Sequence, residues 1–402
     1  MRLFRNILTV FLFISVFSLF AAPKPALFPP DFPQELSKLK LREKEVRQLA
    51  PGVTYYHYHF DNVLPSDKLP IYRLTKVFVP KKANATEAPS SLTDFLKRVK
   101  DVKKSANIPK MLKGNEKGLR NQAVTFFGKN TAAEDPVEKA ARKLKKPGDL
   151  SAVGSTEKEW FFLRLDNVVK QMPVSVYYVV IDWNTAKVKV KLAECGPILK
   201  TVKDMVKDYD PLCAVNGAYF KFVPPKTFYP LKIDGKMYEP DPGYDSHDGM
   251  CFKDGEYPVL DKQENFDQYD NVIMGYRVWS KGKFALDNKV EHWTGIAQGD
   301  TPLTAVGFNY EKKLLVLFTS DGRFPQDAPG LNFYGESYFV SLMGCDEVLS
   351  IDGGGSCTML IREGKKLSDP KNHPSDNRKF DHEGARSVQN CIYVVENNDK
   401  KD

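Results

Sequence analysis

Residues 350–359 read SIDGGGSCTM, in which an acidic residue precedes three glycines and two hydroxyl residues. Mainly apolar segments flank this stretch, so the pattern predicts a buried strand that delivers Asp352 to a tight turn and a second strand that leads away. Three glycines in succession permit backbone conformations that side chains disfavour, and their N–H groups can converge on one anion. A plain flexible turn is the alternative, but the flanking strands and the acid favour an active-site loop.

The N-terminal segment has the layout of a secretory signal peptide. Residues 1–22 place Arg2 and Arg5 before an uncharged, mainly apolar run and end in two alanines. No later stretch approaches the roughly 20 apolar residues that a membrane-spanning helix requires. We therefore expect a secreted, periplasmic or cell-envelope protein with no transmembrane helix after cleavage of the signal peptide. Retention of the segment as an N-terminal anchor is the alternative.

The composition, with 42% hydrophobic and 12% aromatic residues in 402, is that of a globular chain of one large domain or two domains. Positive charge is concentrated in residues 81–150, which hold 17 Lys or Arg and 8 Asp or Glu. Lys-rich stretches at 92–102 and 136–144 predict a basic helical insertion over residues 81–170. The basic surface of residues 81–165 is either solvated or contacts a polyanion such as an acidic cell-wall polymer, and we expect no nucleic-acid partner.

The spacing of the cysteines does not indicate a definite disulfide pattern. An even number in an exported chain permits up to three disulfides, whereas a chain of this length can fold without them. No pair has the close C-x-x-C spacing of a zinc site. Disulfides and buried free thiols are thus both compatible with the sequence for Cys195, Cys213, Cys251, Cys345, Cys357 and Cys391.

Residues 23–80 are predicted to form a Pro-rich tether followed by strands that join the main sheet. A short helix is expected near Glu35–Leu49. The aromatic-rich segment Val53–Phe60 alternates as a strand does, and Ile71–Val79 is its predicted partner.

Residues 171–398 carry the most regular signals and form the predicted main domain. A strand at 314–319 is followed by a helix that begins after Asn332 as N-cap and ends at Gly344, and then by the strand into Asp352. Strand, helix and strand in succession predict a βαβ unit with parallel strands. The predicted fold class is therefore α/β, in a mixed α+β form: a central mixed β-sheet with flanking helices and this βαβ unit near the C-terminus.

The parallel arrangement places two acidic residues at one edge of the sheet. Asp321 follows the strand before the helix and Asp352 follows the strand after it, and open α/β sheets bind ligands at that edge. Arg323 suits phosphate, while the acids suit proton transfer or nucleophilic attack. Asn216, just past another strand, is placed to bind a sugar hydroxyl. Singly, each is explained as a turn residue or a surface ion pair; together they predict a site that cleaves a bond to an anionic group.

In these motifs the chain resembles the phosphodiester glycosidases. The resemblance covers residues 173–396, with the motifs in the family's order and spacing, and it implies that residues 171–398 are a phosphodiester glycosidase-like catalytic domain. The Asp-Gly-Gly-Gly-Ser element is specific, whereas Asp-Gly-Arg alone is not. The motifs are Val215-Asn216-Gly217-Ala218-Tyr219-Phe220, Pro302-Leu303-Thr304-Ala305-Val306-Gly307, Asp321-Gly322-Arg323, Gly330-Leu331-Asn332 through Gly344, Asp352-Gly353-Gly354-Gly355-Ser356-Cys357-Thr358-Met359 and Arg386-Ser387-Val388-Gln389-Asn390.

The resemblance implies an exported hydrolase that cleaves the bond between the anomeric carbon of an N-acetylglucosamine-like sugar and a phosphodiester, in envelope or extracellular glycans. Asp352 is implied as acid, base or nucleophile, and Asp321 as the second carboxylate or a cation ligand. Arg323 and Arg386 are implied as phosphate ligands. The other implied substrate-binding residues are Asn216, Thr304, Gly353, Gly354, Gly355, Ser356 and Thr358.

Two departures from the family pattern bear on the reaction. Leu303 stands where many relatives have Arg, which removes one phosphate contact, and Cys357 replaces a usual Ser or Thr. A glycan-binding or envelope scaffold protein without turnover is one alternative. A metal-dependent phosphodiesterase that cuts the P–O bond is another. The sequence requires no cofactor and leaves a divalent cation open.

Overall fold

A computed structural model describes residues 39–63, 72–80, 150–155, 159–167, 172–240, 248–285 and 301–397. Over these residues the protein is mostly β, and its two α-helices are α1 (Val202–Val206) and α2 (Phe333–Ser341). The strands are, in chain order, β1 (Leu41–Ala50), β2 (Val53–Val63), β3 (Tyr72–Pro80), β4 (Leu150–Ser155), β5 (Glu159–Asn167), β6 (Met172–Asp182), β7 (Val188–Glu194), β8 (Cys213–Asn216), β9 (Phe220–Phe222), β10 (Pro225–Thr227), β11 (Leu231–Ile233), β12 (Lys236–Tyr238), β13 (Asp248–Phe252), β14 (Val259–Lys262), β15 (Asn271–Met274), β16 (Tyr276–Ser280), β17 (Lys283–Phe284), β18 (Thr304–Asn309), β19 (Leu314–Ser320), β20 (Glu347–Ser350), β21 (Met359–Glu363), β22 (Lys366–Leu367) and β23 (Asn390–Glu396).

The largest sheet has eight strands in the order β1-β2-β6-β19-β18-β20-β16-β17. Each pair of neighbours in it is antiparallel. The predicted mixed sheet with flanking helices is therefore wrong in this respect: the described fold is mostly β, with several sheets and few helices. The strand patterns were visible in the sequence, but the direction of each partner depends on the connections between strands.

Of the predicted βαβ unit, the parallel direction of the two strands is found, but the strands are not neighbours in the sheet. β19 and β20 lie on either side of β18 and both run antiparallel to it, so they are parallel to each other without being neighbours. The predicted cap of helix α2 is confirmed, because the Asn332 side chain accepts the N–H of Gly335 at 2.9 Å, and Gly344 follows the helix with φ +88°. The ends of β19 and β20, and with them Asp321 and Asp352, still reach the same edge of the sheet.

Two further sheets pack on one face of the main sheet. Their strand orders are β22-β21-β8-β23-β7 and β12-β11-β15-β13-β14. Leu317 of the main sheet, Val215 of the second and Ile273 of the third belong to one buried cluster. Helix α2 covers the other face, where Phe339 packs with Phe318. The candidate site lies at the end of this layered core, where β8, β19 and β20 end and β18 begins.

The N-terminal part of the chain pairs differently from the prediction. The helix expected near Glu35–Leu49 is wrong for the described residues, because β1 pairs along β2 as the edge strand of the main sheet. Strand pairing here overrides the local preference of a charged segment for helix. β3, the predicted partner of β2, instead pairs with β5 in a separate sheet with β4.

Several predictions fall on residues outside the described part of the chain. These are the signal peptide at residues 1–22, the tether up to residue 38 and the Lys-rich helical stretches at 92–102 and 136–144. The described end of the predicted helical insertion, β4 and β5, is strand, so helix is wrong for those residues. Within the described residues no helix is long and apolar enough to cross a membrane.

All six cysteines are buried and none forms a disulfide. Burial raises the pKa of the Cys251 thiol to about 12, and it raises the pKa of Cys213 and Cys391 as well. A thiol with a raised pKa carries little reactive thiolate. The structure therefore favours the interpretation of these residues as buried, inert thiols.

Candidate active site

The loop after β20 holds Asp352 at the edge where several strands meet. Asp352 N–H donates to the carbonyl oxygen of Gly217 at 3.1 Å, and Gly354 N–H donates to that of Pro302 at 2.8 Å. Gly354–Ser356 form a single 3₁₀ turn. These bonds anchor the loop to segments beside β8 and β18, so the position of Asp352 is set by the sheets rather than by the loop alone.

The carboxyl group of Asp352 titrates far from its ordinary range. Burial raises its pKa from 3.8 to about 7. The ionised form is favoured by Ser356, Arg386, the amide of Gly353 and Arg323, which only partly offset the effect of burial on the pKa. A carboxyl that gains and loses a proton near neutral pH is suited to acid–base catalysis.

Two arginines lie directly against the glycine loop. A Cβ atom placed on Gly354 would lie 2.7 Å from Nη2 of Arg323, and one placed on Gly355 would lie 2.5 Å from Nη2 of Arg386. Arg386 is held by Asp376, whose Oδ2 accepts its Nε–H at 3.0 Å. The glycines are therefore needed for the close approach of two guanidinium groups, which form the cationic wall that a phosphate requires.

The Asp-Gly-Arg motif has a local structural reason. Arg323 has φ +70°, a left-handed conformation that is uncommon for a residue with a side chain. A Cβ on Gly322 would collide with the backbone of Pro302. The chain therefore bends tightly after Asp321 and turns Arg323 toward the loop, and such unusual conformations concentrate at functional sites.

Asn216 supports the loop with its whole side chain. It is fully buried, its Nδ2 donates to the carbonyl oxygen of Asp352 at 2.6 Å, and its Oδ1 accepts from Thr304 Oγ1 at 2.8 Å and from Thr358 N–H at 3.2 Å. The Thr358 hydroxyl donates to the carbonyl oxygen of Ser356 at 3.2 Å. Direct contact of Asn216, Thr304 and Thr358 with a sugar stays a prediction. In this structure they position the loop.

Two of the three glycine amides already have partners within the protein. Gly354 N–H is used by Pro302, and Gly353 N–H interacts with the carboxylate of Asp352 itself. Binding of an anion by the three amides therefore stays a prediction. The buried hydroxyl of Ser356 makes no hydrogen bond at normal geometry with a described residue, and it lies close enough to Asp352 to lower the pKa of that carboxyl.

Asp321 is engaged by protein groups on both of its oxygens. It is 1% exposed. Its Oδ1 accepts His373 N–H at 2.7 Å, and its Oδ2 accepts the Tyr177 hydroxyl at 2.7 Å and lies 2.8 Å from His373 Nδ1. A carboxylate whose two oxygens both have partners within the protein does not fit the predicted role of cation ligand or second reacting carboxylate. Among the described residues no three His, Cys, Asp or Glu side chains are arranged to hold a metal ion.

The segment Asn372–Asp376 was missed by the sequence reasoning. Asn372 accepts Met359 N–H at 2.8 Å and donates to the carbonyl oxygen of Cys357 at 3.0 Å, so it secures the exit of the glycine loop. Ser375 Oγ accepts from Arg323 Nη1 at 3.3 Å. The available signal was the run Asn-His-Pro-Ser-Asp in a connection between strands, since functional residues concentrate in such connections.

A second buried acid lies behind the loop on helix α2. Glu336 is completely buried, and neither carboxyl oxygen makes a hydrogen bond at normal geometry with a described residue. Burial raises its pKa well above the ordinary value, and the nearby Ser350 acts in the opposite direction. Burial thus disfavours the ionised form of Glu336, and the position of this acid beside the loop is costly for folding.

Residues 209–395 match the family model described as phosphodiester glycosidase. This part of the chain therefore carries the resemblance that the motifs indicated. It contains the glycine loop, both arginines, Asp321 and the segment Asn372–Asp376. No curated protein matches the sequence.

Three solved structures match the chain at low similarity. The catalytic domain of zebrafish N-acetylglucosamine-1-phosphodiester alpha-N-acetylglucosaminidase, auto-inhibited by its pro-peptide, is 18% identical over 62% of this chain and 82% of that chain, with a TM-score of 0.44. A Burkholderia pseudomallei protein described as exported is 13% identical over 92% and 99%, with a TM-score of 0.48. A protein from Synechocystis is 9% identical over 88% and 80%, with a TM-score of 0.41.

In the phosphodiester glycosidase domain, Gly354→Ala is expected to displace Arg323 with only a modest loss of stability. The new methyl group meets the far end of the long Arg323 side chain, which can shift. The positive φ of +67° costs about 1 kcal/mol for a residue with a side chain. We expect kcat/KM for a sugar-1-phosphodiester to fall about 100-fold, because small displacements of a positioning group have effects of this size.

The control is Gly364→Ala, which has nearly the same φ of +65° but open space around the added methyl group. Thermal unfolding should shift similarly in both variants, and only Gly354→Ala should lose activity. Equal kcat/KM values for the two variants would show that the contact between Arg323 and the loop is unimportant.

Proposed function

We propose that the protein is an exported hydrolase that cleaves the bond between the anomeric carbon of an N-acetylglucosamine-like sugar and a phosphodiester in envelope or extracellular glycans. The family of residues 209–395 supports hydrolysis of sugar phosphodiesters in general. The observation that carries the proposal is the position of Asp352, with a pKa of about 7, beside two arginines that lie on the glycine loop.

Each part of this arrangement has a chemical task in the proposed reaction. Arg323 and Arg386 bind the phosphate and stabilise the charge that it gains when the bond to the anomeric carbon breaks. Asp352 is close enough to both arginines for them to influence its pKa, so it lies where it can exchange a proton with the reacting groups. Ser356 adds a hydroxyl group next to Asp352.

An aromatic side chain beside Arg386 suits a sugar at the edge of the site. The guanidinium carbon of Arg386 lies 5.3 Å from the centre of the Phe222 ring. Phe222 is 47% exposed and its neighbour Val223 is 82% exposed. An exposed aromatic ring next to the phosphate ligand supports a glycan substrate, because it offers an apolar surface to the face of a sugar ring.

The proposal is tested by incubating the protein with α-N-acetylglucosamine-1-phosphodiesters, with and without chelator, in ¹⁸O-labelled water. We expect release of free sugar that carries the label, whether or not chelator is present. Label in the phosphate would indicate a phosphodiesterase that cuts the P–O bond. Binding of the substrates without release would indicate a glycan-binding protein, and either outcome would overturn the proposal.

A further inference from the structure

His373 is held with its ring in a fixed orientation. Its Nδ1 lies 2.8 Å from Asp321 Oδ2, and its backbone N–H donates to Asp321 Oδ1 at 2.7 Å. Phe380 stacks on the ring at 3.7 Å between centroids, and His382 stacks at 4.4 Å. Because a carboxylate only accepts hydrogen bonds, Asp321 selects the tautomer that carries its proton on Nδ1.

The other ring nitrogen is thereby left with a lone pair. Nε2 of His373 makes no hydrogen bond with a described residue, and it retains some exposure to solvent. A buried carboxylate that orients an imidazole in this way produces a proton acceptor at Nε2. The Tyr177 hydroxyl, 2.7 Å from Asp321 Oδ2, fixes the carboxylate in turn.

The ring is carried by the segment that aligns the rest of the site. Asn372, just before it, bonds the backbone at the exit of the glycine loop. Ser375 and Asp376, just after it, bond Arg323 and Arg386. His373 therefore cannot shift relative to the two arginines without breaking these contacts.

We propose that His373, oriented by Asp321, accepts the proton of the water molecule that hydrolyses the sugar–phosphate bond. The inference rests on the proposed function. The water oxygen forms a bond to the anomeric carbon, and the bond from that carbon to the phosphate oxygen breaks. The electron pair of the broken bond leaves with the phosphate beside Arg323 and Arg386. The proton of the water goes to Nε2 and then to solvent.

Two substitutions separate catalysis from structural support. In His373→Asn the side-chain amide replaces Nδ1 as donor to Asp321 but removes Nε2. In His373→Gln the amide reaches toward the position of Nε2 and loses the bond to Asp321. We expect His373→Asn to keep its unfolding temperature and its KM, while kcat falls about 100-fold or more, the usual size of a lost general base. His373→Gln should lose both stability and kcat.

Two outcomes would overturn the role of His373. One is a kcat for His373→Asn within about threefold of the wild type, below the range for a general base. The other is a His373 ring that carries its proton on Nε2 instead of Nδ1. This is measured by ¹⁵N NMR of the wild-type protein at pH 8, so the test does not depend on the folding of a variant. A wild-type protein that releases no sugar from any phosphodiester would overturn the proposed function instead, and the NMR result would still decide whether Asp321 orients the ring.

Discussion

Asp352→Asn is expected to abolish sugar release and, at the same time, to make the folded protein more stable at neutral pH. The amide has nearly the same shape as the carboxyl group but cannot exchange a proton, so kcat should fall about 1,000-fold, within the range for loss of acid–base catalysis. Activity is measured as free sugar released from a sugar-1-phosphodiester.

The gain in stability follows from the direction of the pKa shift. The folded pKa of Asp352 is about 7, above its ordinary value of 3.8, so the folded protein holds a proton that the unfolded chain releases. The free energy of unfolding of the wild type therefore falls as pH rises from about 4 to about 7. The free energy of unfolding of the Asp352→Asn variant does not fall in this way, because asparagine does not titrate. We expect a gain of roughly 2 kcal/mol at pH 8, after discounting for the partial exposure of the side chain, and none at pH 3.

Denaturant unfolding at pH 3 and pH 8 checks this prediction. Asp369→Asn serves as the control, because that carboxylate is exposed and Lys203 lowers its pKa, so neutralising it should give no gain at pH 8. A variant Asp352→Asn that is equally active, or no more stable than the wild type at pH 8, would contradict the assignment of Asp352 as the buried acid–base group.

Asn216→Ala is expected to destabilise the protein by about 3 kcal/mol and to remove activity. One side chain makes three hydrogen bonds, to Asp352, Thr304 and Thr358, and it is fully buried. Each such bond contributes about 1 kcal/mol, and the partners left behind stay buried. The carbonyl group of Asp352 loses a donor, so the loop that carries the acid is expected to loosen. The measurement is denaturant unfolding together with kcat.

Thr304→Val is the matched comparison, since it removes only one of these bonds and nearly keeps the side-chain volume. We expect about 1 kcal/mol for it, and Thr304→Ser, which retains the hydroxyl group, should lie closer to the wild type. If Asn216→Ala lost activity without loss of stability, Asn216 would act on the substrate, as the family resemblance implies, and not as the support of the loop.

The parts of the site that the sequence predicted are those that depend on near neighbours. The glycine loop, the strand that enters it and the cap Asn332 follow from backbone conformations and side-chain alternation within a few residues. The shared edge for Asp321 and Asp352 was also predicted, although through neighbouring parallel strands. The structure reaches the same edge with β18 inserted between them.

What each polar side chain does was not predictable in this way. Asp321 looked like a reacting carboxylate until its partner His373 was placed beside it, and the two are 52 residues apart in the chain. Asn216 looked like a sugar ligand, yet it bonds Thr304 and Thr358, 88 and 142 residues away. A single sequence does not specify which distant donors will meet a given acceptor.

The sequence by itself determined the tight loop, its acid and the strands around them, because glycine freedom, capping and alternation are properties of short segments. Only the tertiary structure decided that β3 pairs outside the main sheet, that Gly354 N–H bonds Pro302, and that a histidine contacts both oxygens of the second acid. These outcomes depend on which strands pair and on how their ends pack, and the energy of strand pairing comes from contacts between segments far apart in the chain.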